Sequence, residues 1–275
     1  MGRQQEIVLK AILKTLDSEK SDRLLSFLPD QEKDFLLHLP DIHLTAQAAA
    51  VPTLDQIHWS WFIPVFEASA PKDQKVLLKV FPVSAQKSLS KVLQITPATE
   101  KMSRMALSYL RQTLLQAVMP QNLLPIGLLP PSPLNLILQI EKKKLTKLID
   151  YLSLYDLSRE LRQIVETKIL QKIYSFLTDD EKQFLKIAAT QKEPYTTAQI
   201  HLEKWDGAKE SFRLTLHRVG LARLGSALSG QDPDLIWYIC HQLDSGRGKA
   251  LEKLCKKEPI PGVAEWLAEQ MKELL

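Results

Sequence analysis

The sequence predicts an all-α protein made of two related helical-hairpin units. Three observations predict it. Glycine is scarce, at 9 of 275 residues, and a glycine-poor, leucine-rich chain favours helices over turn-rich sheets. Apolar residues recur at three- and four-residue spacings along most of the chain. Alternating apolar runs closed by Asn-Gly or Asp-Gly turns are missing, and the lone Asp206-Gly207 pair falls between helical patterns.

The elements follow in order. Gln5–Leu16 places Leu9, Ile12, Leu13 and Leu16 on one face. Leu24, Leu25 and Leu28 end a second helix; Pro29 opens a third, which presents Phe35, Leu36 and Leu39 and stops at Pro40. Pro71 opens a helix with Val76, Leu77 and Val80, and Pro82 breaks it before Leu89, Val92 and Leu93. Thr96-Pro97 is expected to start a longer helix through Met105, Leu110 and Leu114. Asp156 is expected to cap a helix carrying Leu161, Ile164, Val165, Ile169 and Ile173. Thr178 and Glu181 fit a capping box, in which the hydroxyl takes an early amide and the carboxylate reaches back. Thr196–Lys204 and Ala208–Leu228 read as two helices around Asp206-Gly207, and Asp232-Pro233 as a cap followed by a first-turn proline. Leu235–Leu243, Lys249–Lys256 and Val263–Leu275 finish the chain, with Ser245–Gly248 as a turn before the second of these.

An internal repeat organises these elements. Residues 26–36, SFLPDQEKDFL, match residues 175–185, SFLTDDEKQFL, at eight of eleven positions. Thr45-Ala46-Gln47, Trp61-Phe62-Ile63 and Lys75–Lys79 are echoed in order at Thr197-Ala198-Gln199, Trp237-Tyr238-Ile239 and Lys249–Lys253. The second copy is about thirty residues longer, mostly between 200 and 230, a spacing read as a duplicated helical unit. The expected division is an N-terminal unit at 1–118, a proline-rich connector at 119–135 and a C-terminal unit at 136–275. Stacked helix pairs of this kind have the armadillo or HEAT character. Phe27 and Phe176, equivalent in the repeat, are expected in the core.

Charge narrows the partners. The net charge is +4, shared evenly by the two halves, without a basic tail; protein partners are expected over nucleic acid. Residues 112–140 carry no charge and are long enough to span a bilayer. Pro120, Pro125, Pro130, Pro131 and Pro133 interrupt them, and lipid cannot replace the donors that prolines remove, so no membrane span is expected. The stretch reads instead as a buried connector or as a docking surface. Two cysteines, Cys240 and Cys255, make neither a disulfide framework nor a zinc site, and the start of the chain lacks the pattern of a signal peptide, so a cytoplasmic address is expected.

No catalytic or metal-ligating constellation emerges, and no cofactor is expected. The six histidines form no His-Glu-x-x-His pair. Ser88–Lys91 matches Ser-x-x-Lys without the supporting motifs, and Ser245–Lys249 lacks the spacing and the Ser/Thr of a phosphate loop. Acidic pairs such as Asp179/Asp180 sit at helix starts, where negative charge suits the dipole. Two groups are candidates for binding. Trp59, Trp61 and Phe66, with Leu123, Leu124, Ile126 and Leu128 of the connector, form the candidate protein-binding set, since tryptophan is enriched at interfaces; core packing is the competing reading of the aromatics. Lys209, Arg213, His217 and Arg223 lie close to one helical face within 196–228, whose spacing resembles a helix-turn-helix and could meet phosphates.

The stretches Leu24–Leu36 and Tyr155–Glu181 resemble the armadillo-like helix pairs of flagellar motor-switch FliG-type proteins. The resemblance implies a non-catalytic helical adaptor at the cytosolic base of a flagellar or type III secretion apparatus, beside the inner face of a membrane complex, as in a sorting platform. The alternative is a DNA-binding regulator using 196–228.

Overall fold

A computed structural model describes residues 3–39, 52–99, 101–191, 195, 200–202 and 205–274. Helices in the first half are α1 (Arg3–Leu13), α2 (Ser18–Leu25), α3 (Asp30–His38), α4 (Ile63–Glu67), α5 (Pro71–Leu78), α6 (Val83–Leu93) and α7 (Arg104–Val118). Those in the second are α8 (Lys142–Leu161), α9 (Thr167–Phe176), α10 (Asp179–Thr190), α11 (Lys209–Leu228), α12 (Pro233–Gln242), α13 (Ser245–Leu254) and α14 (Val263–Leu274). No strand occurs among the described residues, and none of their helices is long and apolar enough to cross a membrane.

The chain divides into two compact units, 1–132 with 232–245, and 133–231 with 246–275. The expected division makes 119–135 a connector and 136–275 one unbroken unit; here 119–132 and 232–245 both fall in the first unit. Residues 119–132 are part of the first unit: Leu124, Leu128 and Leu129 are buried, and Ile126–Leu128 form a 3-10 turn against α1. Segment 232–245 leaves the C-terminal half to pack in the first unit. Its anchors are long-range hydrogen bonds: Tyr238 Oη donates to the Leu124 carbonyl at 2.7 Å, and the Leu124 amide donates to Asp234 at 3.2 Å.

In the first unit Phe62, Phe66, Leu78, Phe81, Leu89 and Leu114 form the core, with Phe62 edge-to-face on Phe81 at 5.1 Å. Full burial of each such side chain contributes roughly 1.5–3 kcal/mol. Pro64 and Pro71 sit in the first turns of α4 and α5, where a missing N–H costs nothing. The long helix expected from Thr96-Pro97 starts later, at Arg104. Ser103 caps it, its hydroxyl accepting from the Ala106 amide at 3.1 Å. On α1 the buried face is Ile7 and Ala11 with Leu13, while Ile12 is exposed; the expected stripe was rotated.

The second unit is built on the pair α8 and α11. Gly220 is the reason they approach so closely: a Cβ there would stand 1.9 Å from the Ile149 carbonyl oxygen. Gly225 does the same against Leu254 of α13, at 2.5 Å. α10 packs on α8, and Thr178 and Glu181 form the expected capping box at its start. Asp156 does not start a helix. It lies inside α8, and its carboxylate is taken by Arg223 and Arg159, so it has no amide to cap. The break falls instead after Leu161, before α9. Asp206 braces the turn before α11, accepting from the Ala208 amide at 2.9 Å and from the Ser211 hydroxyl; Gly207 supplies the positive φ of 81° that the turn needs. Of the expected helix Thr196–Lys204, residues 196–199 and 203–204 lie outside the described residues. Ile200 and His201 are not helical, and Glu160 holds them: its carboxylate accepts from the Ile200 amide at 2.5 Å and the His201 amide at 3.4 Å. The glycine-rich segment expected as a turn is the first part of α13. The echo Thr45-Ala46-Gln47/Thr197-Ala198-Gln199 lies outside the described residues.

Candidate functional site

The expected aromatic site is core. Phe66 is fully buried, and Trp59 and Trp61 are half-buried. Trp61 donates its Nε1 hydrogen to the Leu243 carbonyl at 2.9 Å and stacks on His241 at 3.9 Å. His241 stacks in turn on Trp237 at 4.0 Å. Trp61 and Trp237, echoes of one another in the sequence, thus sandwich one histidine within one unit. The Ser60 hydroxyl closes the cluster: it accepts from the Ser245 amide at 2.8 Å and meets His58 Nδ1 at 2.9 Å. Leu124 and Leu128 are buried, and Leu123 and Ile126 are half-buried. Trp59, Trp61 and Phe66 therefore pack in or against the first unit's core, while Leu123 and Ile126 keep part of their surface exposed.

The expected basic face is neutralised in the same way. Only Lys209 of the four is exposed. Arg213 reaches both oxygens of Glu181, at 2.6 and 2.8 Å, and the Phe176 carbonyl at 2.5 Å. Burial pushes the Glu181 carboxyl up, but the Arg213 and Thr178 hydrogen bonds outweigh it and hold the group below its ordinary value. His217 Nδ1 meets Asp150 at 2.5 Å. Arg223 is completely buried; it donates to Asp156 at 3.1 Å and to Gln270 at 2.8 Å, and its guanidinium lies over the rings of Tyr155 and Trp266 at 4.9 and 4.6 Å. The two arginines and the histidine that read as phosphate contacts bind acceptors inside the second unit. Their partners lie tens of residues away in sequence, so helical spacing alone could not reveal them.

The described residues bring together no group of histidine, cysteine, aspartate and glutamate that could hold a metal ion. A groove of about 1150 Å³ opens in the first unit beside Leu54, Phe81, Leu115 and Met119. The charges on its wall are Arg111 and Asp55, and no set of titratable groups converges there.

What the sequence reading missed is apolar surface on the first hairpin. Phe27 is 76% exposed and Phe35 48%, with Leu24 and Leu37 also exposed. The expected core role of Phe27 is thus corrected: among the described residues no helix closes over it. Phe176 keeps that role in part. It is half-buried, edge-on to Trp205 at 5.9 Å and tilted on Phe212 at 6.2 Å. The repeat itself carried the signal, because the extra length of the second copy falls where α11 lies. Set against models of known families, curated proteins and solved structures, the chain matches none.

Proposed function

We propose that this protein is a non-catalytic helical adaptor that acts by binding other proteins. The observation that carries this reading is the exposed apolar surface of α2 and α3, where Leu24, Phe27, Phe35 and Leu37 stand in water. Several large apolar side chains left exposed on one hairpin point to an interaction site, and aromatic residues supply most of the energy at such sites. The candidate basic face offers no comparable support for DNA binding, since Arg213, His217 and Arg223 are paired inside the second unit. The resemblance of the repeated segments to FliG-type helix pairs suggests the setting: a cytoplasmic adaptor at the inner face of a flagellar or type III secretion apparatus. Affinity capture of the tagged chain from its own cells is expected to recover stoichiometric protein partners. A monodisperse monomer that captures none sinks the reading.

A further inference from the structure

The two copies of the repeat share several local contacts, although α9 runs through Phe176 where α2 stops at Leu25. Ser26 donates to the Arg23 carbonyl at 2.7 Å, and Ser175 donates to the Lys172 carbonyl at 2.6 Å. Lys33 pairs with Asp30 at 3.0 Å, and Lys182 with Asp179 at 2.9 Å. Leu36 and Leu185 both point inside. The copies differ in what covers them. In the second, Ile173 is fully buried and Phe176 lies against Trp205 and Phe212, while Arg213 of α11 binds Glu181 and the Phe176 carbonyl. In the first, the equivalent Leu24 and Phe27 are exposed. The extra thirty residues of the second copy contain α11, and the first copy has no counterpart to it in sequence.

We propose that the Leu24/Phe27 face of the α2–α3 hairpin is a docking surface for an amphipathic helix of a partner protein, seated as α11 sits on α9–α10. The inference rests on the adaptor reading and names the partner's chemistry. The helix carries an aromatic residue, an arginine directly after it and an apolar residue three positions further on, as Phe212, Arg213 and Leu216 do. The aromatic covers Phe27, the apolar residue covers Leu24, and the arginine reaches the Phe27 carbonyl. Recognition is then of the helix-in-groove type, with anchors at i and i+4. The chain's own α11 does not serve in trans, because Phe212 and Leu216 are buried in its own unit.

A labelled peptide of residues 205–228 is the probe, titrated with the full chain and read by fluorescence anisotropy. Saturable binding is expected, and Phe27→Asp in the chain or Phe212→Ala in the peptide is expected to weaken it at least about tenfold. Leu214→Ala in the peptide is expected to leave it unchanged, because Leu214 is exposed on α11. Phe27 is exposed too, so the Phe27→Asp chain keeps its melting temperature. No binding at about millimolar peptide, or binding indifferent to Phe27→Asp, overturns the proposal. Cellular partners that the Phe27→Asp chain still captures overturn the hairpin assignment but leave the adaptor reading standing; a monomer with no partners at all removes that reading.

Discussion

Arg223 is a cation without water, and its position rests on Asp156, Gln270 and two aromatic rings. Removing one partner strands the other charge in the interior, which costs about 3–5 kcal/mol. Asp156→Ala is therefore expected to lower stability by that amount in urea denaturation. The double variant Asp156→Leu, Arg223→Met is expected to recover most of the loss, since an apolar pair of similar volume carries no desolvation cost. Glu181 gives a pH dependence. Its folded-state carboxyl titrates below the ordinary value of 4.5, so folding is favoured by the charged form. That contribution is fully present above about pH 4.5 and is lost as the pH falls through the lower folded value. The Arg213 guanidinium is correspondingly held above its ordinary value, chiefly by its hydrogen bonds to Glu181. Thermal melts in acid are expected to show a shallower loss of stability for Glu181→Gln than for the parent chain. An unchanged acid limb means that the pair contributes nothing.

At the scale of elements, the close approach of α8 and α11 depends on a missing side chain. Alanine is about 1 kcal/mol better than glycine inside a helix, yet Gly220→Ala is expected to destabilise. The added methyl meets a backbone carbonyl that cannot move aside, and such overpacking costs roughly 1–3 kcal/mol. A stability gain means that the helices are further apart than described. The two hairpins give a paired comparison. Phe176→Ala is expected to cost about 2 kcal/mol, less than the 3–5 of a fully buried phenylalanine. Phe27→Ala is expected to change stability by no more than about 0.5 kcal/mol. This asymmetry also shows what could be read from sequence and what could not. Helix existence was legible wherever a proline, a capping box or Asp232-Pro233 set a local boundary. The starts of α7 and α9 were not, because Ser103 and the break after Leu161 compete with stronger-looking signals at Thr96-Pro97 and Asp156. Asp156 reads as a cap only until its arginine, sixty-seven residues away, is known. The eight matching positions pointed to a helix pair at each place but were silent on burial, which depends on whether a third helix arrives.

At the scale of the whole molecule, the chain passes more than once between the two units. It enters the second unit at residue 133, leaves it for 232–245 and returns at 246. α12 is thus a part of the first unit whose chain continues at both ends into segments of the second. Closing that loop through a folded second unit lowers the entropy lost when α12 docks, so melting the second unit is expected to weaken the first as well. Each unit carries one buried thiol: Cys240 in α12 and Cys255 after α13. Burial pushes the Cys255 thiol up to about 12, with Glu252 adding to it, and thiolate chemistry at neutral pH is then closed to it until its surroundings open. The two cysteines therefore report on the two units separately. Alkylation along a urea gradient is expected to show both thiols inert in the native chain and both becoming reactive at the same urea concentration. Cys240 still protected where Cys255 is fully labelled means that the first unit holds α12 without help, and the tethering argument fails.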